Sequence, residues 1–177
     1  MIHGEVYCRS VSSGAFPNYD VLWTDPPWNE GMMKIFQRMS LISTGQSAGE
    51  NLHDALHALF SHASVSKPMY VEFSQITYQK VIPIAESYGH KLAGVTEAMQ
   101  ENGKSYVILS FNTHHVVQAK QGSKNIIHTI RALKPRIVFD PFAGVGVTAK
   151  AVISAGAYYI GWEMNQYRCS SLSGVLQ

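Results

Sequence analysis

The amino-acid sequence predicts an α/β fold, a seven-stranded and mostly parallel sheet with helices on both faces. Three observations predict it. Short apolar runs alternate with segments of helical spacing along the chain, the pattern of strands crossed by helices. Two of those runs stop at turns made of chemistry-bearing residues, Asp25-Pro26-Pro27-Trp28 and Asp140-Pro141-Phe142-Ala143-Gly144-Val145-Gly146; the carboxyl ends of strands are where α/β sheets bind ligands. Asn102-Gly103 falls between two strand-like runs and signals a hairpin, which places an antiparallel pair at one edge.

In chain order, Ile2–Tyr7 reads as a short strand and Asp20–Thr24 as the strand feeding Asp25. That strand must end there, because two successive prolines lack backbone donors and fix φ. Met32–Met39 reads as one or two helical turns, and Ser40–Gly49, rich in Ser, Gly and Thr, as a loop. Leu52, Leu56, Leu59 and Phe60 recur at helical spacing, so Asn51–His62 is expected to be an amphipathic helix. Pro68–Phe73 reads as a strand and Tyr78–Tyr88 as a helix kinked at Pro83. Lys91–Glu97 and Ser105–Phe111 are the two strands of the hairpin. Ile126–Leu133 reads as a helix closed by Lys134-Pro135, followed by a strand over Arg136–Asp140. A helix over Thr148–Ser154, a strand over Tyr158–Glu163 and a last helix over Gln166–Leu172 complete the chain.

The bulk properties narrow the class. A chain of 177 residues fits a single domain spanning residues 1–177. With 46% apolar and 15% charged residues it reads as a soluble globular protein rather than a disordered one. A net charge of +2 neither announces nor excludes a nucleic-acid partner. No run approaches the roughly 18 apolar residues of a membrane span, and the first residues do not read as a signal peptide. Cys8 and Cys169 alone make no disulfide framework, which points to a reducing cytoplasm.

The two turns describe sites. At Asp25-Pro26-Pro27-Trp28, a carboxylate and free carbonyls can accept hydrogen bonds from an amino group, and the indole can stack on a flat ring. Taken alone, Asp-Pro-Pro is equally ordinary turn chemistry. At the second turn, Gly144 and Gly146 permit close approach of backbone to a ligand, and the following helix aims its N-terminus there. Glu163 ends the next strand about twenty residues on, the spacing that places a carboxylate on ribose hydroxyls in α/β nucleotide folds. The third glycine of the dinucleotide fingerprint and a Gly-Lys-Ser/Thr phosphate cradle are both missing. A ribose-bearing ligand without a demanding phosphate site fits better, S-adenosyl-L-methionine (SAM) foremost.

Asp-Pro-Phe-Ala-Gly-x-Gly at 140–146, followed by Ile-Gly-x-Glu-x-Asn-x-Tyr-x-Cys at 160–169, resembles the SAM site of class I amino-methyltransferases. Asp25-Pro26-Pro27-Trp28 resembles the catalytic motif of the same enzymes, which methylate N6 of adenine or N4 of cytosine. The catalytic motif precedes the SAM motif, an order that resembles the circularly permuted, beta-type DNA methyltransferases. The resemblance implies a Rossmann-like methyltransferase fold in permuted order, with Ile2–Tyr7 completing the sheet beside the strand that ends in Glu163. It implies SAM over Gly144 and Gly146, with Glu163 on the ribose, Asp140 near the amino-acid end, Phe142 packed against the ligand, and Asn165 in the motif that follows. Lys124, in Gly122-Ser123-Lys124-Asn125, would pair with the SAM carboxylate, although the proline usual after that lysine is missing. Asp25 and the Pro26 carbonyl would accept from the target amine, with Pro27 setting the elbow and Trp28 holding the ring.

N6 of adenine in DNA is the expected target. The alternatives are N6-adenine in RNA, N4-cytosine in DNA, an amide or small amine, and a non-catalytic subunit that binds SAM or nucleic acid. The sequence has no long insertion for target recognition; Ser40–Gly49 and Asn112–Gly122 are the loops of useful length, so either those loops, a second copy or a partner subunit would read the target, or the enzyme has little sequence preference. His53 and His57 share one helical face, but without the Glu of the metalloprotease pattern they read as polar surface, and no metal site is expected. Lys34, Arg38, Lys120, Lys124, Lys134 and Arg136 are too dispersed to form a phosphate track by sequence alone.

Overall fold

The computed structural model describes residues 3–44 and 51–176. Seven strands form one sheet among the described residues: β1 (Gly4–Tyr7), β2 (Val21–Thr24), β3 (Met69–Phe73), β4 (Leu92–Met99), β5 (Ser105–Phe111), β6 (Ile137–Asp140) and β7 (Tyr158–Trp162). Their order across the sheet is β1-β7-β6-β2-β3-β5-β4. Parallel pairing runs from β1 through β3, and β5 lies antiparallel to both β3 and β4. The reversed strand is therefore β5, one place in from the edge, and the outermost β4 points the same way as the rest. Central strands buried on both faces read as near-continuous apolar runs, as β2 and β3 do apart from Thr24 and Glu72, every residue of both being buried.

The helices are α1 (Glu30–Thr44), α2 (Leu52–His62), α3 (Val81–Ser87), α4 (Lys124–Leu133), α5 (Val147–Ser154) and α6 (Gln166–Val175). From the sheet centre, β6 crosses through α5 to β7 on one side, while β2 crosses through α1 and α2 to β3 on the other. Right-handed crossovers in opposite directions put helices on opposite faces. The strands reverse direction of travel between β6 and β2, the topological switch point at which open α/β sheets bind ligands. The first strand lies parallel beside β7, with Gly4 opposite Tyr159, where the permuted order requires it.

Several expectations need correction. The helix expected over Met32–Met39 starts at Glu30 and runs to Thr44, into the segment expected to be a loop; the rest of Ser40–Gly49 lies outside the described residues. Its start is set by Asn29, whose side-chain oxygen accepts from the Met32 amide at 2.9 Å, a capping signal followed by Glu30 in the first turn. Pro83 does not kink a helix. A 3-10 turn (Tyr78–Lys80) gives way to α3 at Val81, and Pro83 sits in the first α-turn, where amides have no intrahelical acceptor to lose. Asn112–Gly122 is a loop as expected, and it is pinned to the sheet: the Thr96 hydroxyl donates to the Val117 carbonyl at 2.7 Å and the Tyr70 hydroxyl to the His115 carbonyl at 2.9 Å. Cys8 and Cys169 are joined in a disulfide that ties the end of β1 to α6, so neither is a free thiol. Among the described residues, no helix is long and apolar enough to cross a membrane.

Candidate active site

The two motifs, far apart in sequence, meet at the switch point. Thr24 ends β2 and Asp140 ends β6, and the Thr24 hydroxyl donates to Asp140 Oδ1 at 2.8 Å. Above this junction lies a cavity of about 270 Å³. Asp25, Pro26 and Pro27 form one side of it and Phe142, Gly144 and Glu163 the other. Met32, Met33 and Phe36 of α1 close it with apolar surface, and Trp162 forms part of the wall.

Asp140 belongs to the framework under the cavity. It is buried, Oδ1 also accepts from the Phe142 amide at 3.0 Å, and Oδ2 accepts from the Tyr159 hydroxyl at 3.3 Å. Burial pushes its carboxyl up to about 6 despite the Phe142 amide and the Thr24, Thr148 and Tyr159 hydroxyls, which favour the ionised form. Those bonds fold the turn so that Phe142 and Gly144 present themselves to the cavity.

Glu163 holds the same turn from the far side. Its Oε2 accepts from the Gly144 amide at 2.8 Å and its Oε1 from the Asn165 amide at 2.7 Å. Burial raises its carboxyl above the usual range, opposed by these amides and by Arg168. Each oxygen keeps a lone pair for a further donor such as a hydroxyl. Asn165 does not reach the cavity; its side chain caps α6 by accepting from the Arg168 amide at 3.1 Å. The two glycines divide their tasks. Gly144, at φ +56°, lines the cavity, while Gly146, at φ +86°, faces Leu172 of α6, whose Cδ1 would lie 2.4 Å from a Cβ there. Gly146 thus admits α6 rather than a ligand.

Asp25 is enclosed by protein yet keeps open surface toward the cavity. Burial raises its carboxyl, the Trp28 indole opposes the rise by donating to Oδ1 at 2.6 Å, Asp140 adds to it, and the Lys104 ammonium lowers it. Because its surface stays wet, the carboxylate remains hydrated until something fills the cavity. Trp28 is buried, stacked near Tyr106 with ring centroids 6.2 Å apart, and stands behind Asp25 rather than in the cavity wall. Lys124 is exposed at the start of α4 and is not among the lining residues.

The sequence reading missed four groups. Arg9 and Arg168 line the cavity; Arg9 packs over Trp162 and Arg168 over Phe36. Glu72 stands at the end of β3, in the register position beside Asp25, and accepts from the Trp23 indole at 2.8 Å. Burial and the neighbouring Asp25 push its carboxyl up. Tyr106 reaches Trp28 from β5, its hydroxyl accepting from Asn125 Nδ2 at 2.9 Å. A buried acid inside the apolar strand Met69–Phe73 is the one sequence signal that could have drawn attention to Glu72.

Residues 124–173 match the family described as DNA methylase, of the N6/N4 type. Among solved structures, M1.HpyAVI superposes with a TM-score of 0.68 at 13% identity, covering 98% of this chain and 99% of that one. Its complex with SAM gives a TM-score of 0.62 at 13% identity, over 98% and 100% of the two chains. The cytosine-N4-specific PvuII DNA methyltransferase gives 0.64 at 13% identity, over 99% of this chain and 87% of that one. No curated protein sequence matches the chain. The segment that matches the DNA methylase family carries the Asp140 turn and Glu163, and the seven-stranded sheet around them has the fold of these methyltransferase structures.

Proposed function

We propose that the protein transfers a methyl group from SAM to the exocyclic N6 amine of adenine in DNA. The observation that carries this reading is that Asp25 and the Gly144–Glu163 turn open onto one cavity. An apolar wall of Met32, Met33, Phe36 and Trp162, with the Glu163 carboxylate on the side away from Asp25, suits an adenosyl group with ribose hydroxyls to donate. Bound there, SAM supplies a methyl group already activated by its sulfonium.

The chain's own residues then orient the amine. Asp25 and the Pro26 carbonyl accept its two hydrogens, turning the nitrogen lone pair out of ring conjugation. Two prolines hold that elbow rigid, and the Trp28 indole fixes the Asp25 carboxylate from behind. Orientation and aimed dipoles do most of the work, so no deprotonation need precede attack. The target base leaves its stack to reach the site, at a cost of about a few kcal/mol. Target recognition falls to loops of this one domain, to a second copy or to a partner.

Incubation with labelled SAM and unmodified DNA or RNA, followed by nucleoside analysis, tests the reading. N6-methyladenine in DNA is expected. N4-methylcytosine, or label in RNA alone, would replace the target named here, since both amines suit the same acceptors. Asp25→Ala should lose transfer by about a hundred- to a thousandfold, as when an oriented contact to the reacting group is removed. SAM binding by calorimetry should persist. Turnover retained in that variant would sink the mechanism.

A further inference from the structure

A ring stacked on Trp28 needs room that the indole does not offer, since its residue is only 5% exposed. Two neighbours cover it. Tyr106 is buried and held by Asn125, itself locked by bonds to the Lys120 and Gly122 backbone, so it cannot step aside. Lys104 is different. It sits at the tip of the β4–β5 hairpin, exposed, with its ammonium 4.3 Å from the Trp28 ring centroid.

The hairpin holds the backbone of Lys104 and leaves its side chain free to turn. The Lys104 amide donates to Asn102 Oδ1 at 3.0 Å, its carbonyl accepts from the Gln100 amide at 2.8 Å, and Gly103 adopts φ +83°. Its ammonium rests on an indole face, close enough to Asp25 for its charge to lower that carboxyl. An exposed cation on a ring is a weak contact, readily exchanged for a phosphate. A flexible stem with a compact charge suits such an exchange.

We propose that Lys104 covers Trp28 in the free protein and moves to a backbone phosphate of the target nucleotide when the base takes its place over the indole. The proposal rests on the nucleic-acid reading above. An extruded nucleotide carries its own phosphates with it, and the hairpin tip bearing Lys104 stands beside the indole over which the base would sit. The ring that displaces the ammonium thereby delivers the anion that receives it.

The test is equilibrium binding of a DNA duplex to the full chain saturated with S-adenosylhomocysteine, at roughly 50–200 mM salt. Each phosphate contact to duplex DNA contributes about 0.9 to the slope of log K against log salt, or about 0.7 for a single strand. Lys104→Met should flatten the slope by about that one contact and weaken binding several-fold at the low-salt end. Lys104→Arg should restore the slope. S-adenosylhomocysteine affinity without DNA should be the same in all three proteins. A Lys104→Met slope equal to the wild type overturns the proposal while leaving the methyltransferase reading intact. A wild-type protein that binds no DNA overturns both.

Discussion

Glu163 engages both its oxygens with backbone amides, one from the turn it faces and one from the start of α6, and still lines the cavity. Glutamine keeps only one acceptor oxygen, so Glu163→Gln sets an NH2 group against one of those amides. A hydrogen bond to a charged group contributes about 1.5–3 kcal/mol, so SAM affinity should fall by roughly 10- to 150-fold. Calorimetric titration checks this; an unchanged affinity would mean that Glu163 supports the turn without meeting the ligand. Glu72 invites a paired experiment. Glu72→Leu leaves the Trp23 indole N–H without its acceptor and should cost about 1–3 kcal/mol of stability. Glu72→Gln keeps an acceptor and is neutral in both states; with the Glu72 carboxyl pushed up to about 8, wild-type folding at neutral pH must take up a proton there, so the variant's midpoint should equal or exceed that of the wild type. Urea denaturation separates the two variants.

At the scale of elements, local chemistry was legible where it was written in consecutive residues. Asp25 followed by two prolines, the Asp140 turn and Glu163 were all visible, because a strand that stops abruptly needs turn residues to stop it. The long α1 was misjudged because Ser40 and Thr44 are weak helix formers that read as loop, while the Asn29 cap at the other end was overlooked. Arg9, Lys104 and Tyr106 were invisible for another reason: they reach the site through strand order and register, which no single segment contains. The disulfide is of that kind, joining residues 161 positions apart. It ties Cys8, next to Arg9 and Ser10, to Cys169, next to Arg168, and all three neighbours line the cavity. Reduction by a small thiol should therefore lower stability by about 2–4 kcal/mol and weaken SAM binding together. Thermal melts and ligand titration, with and without reductant and with Cys169→Ser as control, check this. A loss of stability without a loss of affinity would show that the tether does not shape the cavity.

Over the whole molecule, the switch point gathers carboxyl groups from four strand ends: Asp25 after β2, Glu72 on β3, Asp140 on β6 and Glu163 after β7. A ligand site at the carboxyl edge of the sheet brings acids together, and enclosing them raises all four carboxyls. Folding then holds protons that the unfolded chain releases. For Asp140 the ordinary value is 3.8 and the folded one about 6. Below about pH 4 both states are protonated and the burial costs nothing. Between about pH 4 and 6 the unfolded chain gives up its proton first, so stability falls as pH rises, then levels off once the folded group ionises too. A shift of about two units corresponds to a loss on the order of 3 kcal/mol for this residue. Glu72 and Glu163 have the same sign, whereas Glu5, drawn down by its bonds from Tyr158 and Tyr7, lies exposed at the β1 edge and acts weakly the other way. Urea midpoints should accordingly decline from pH 4 to pH 6 in the wild type. Asp140→Asn, neutral throughout and still able to accept from Thr24 or the Phe142 amide, should flatten that decline. An equally steep decline in the variant would assign the protons to the other carboxyls of the site.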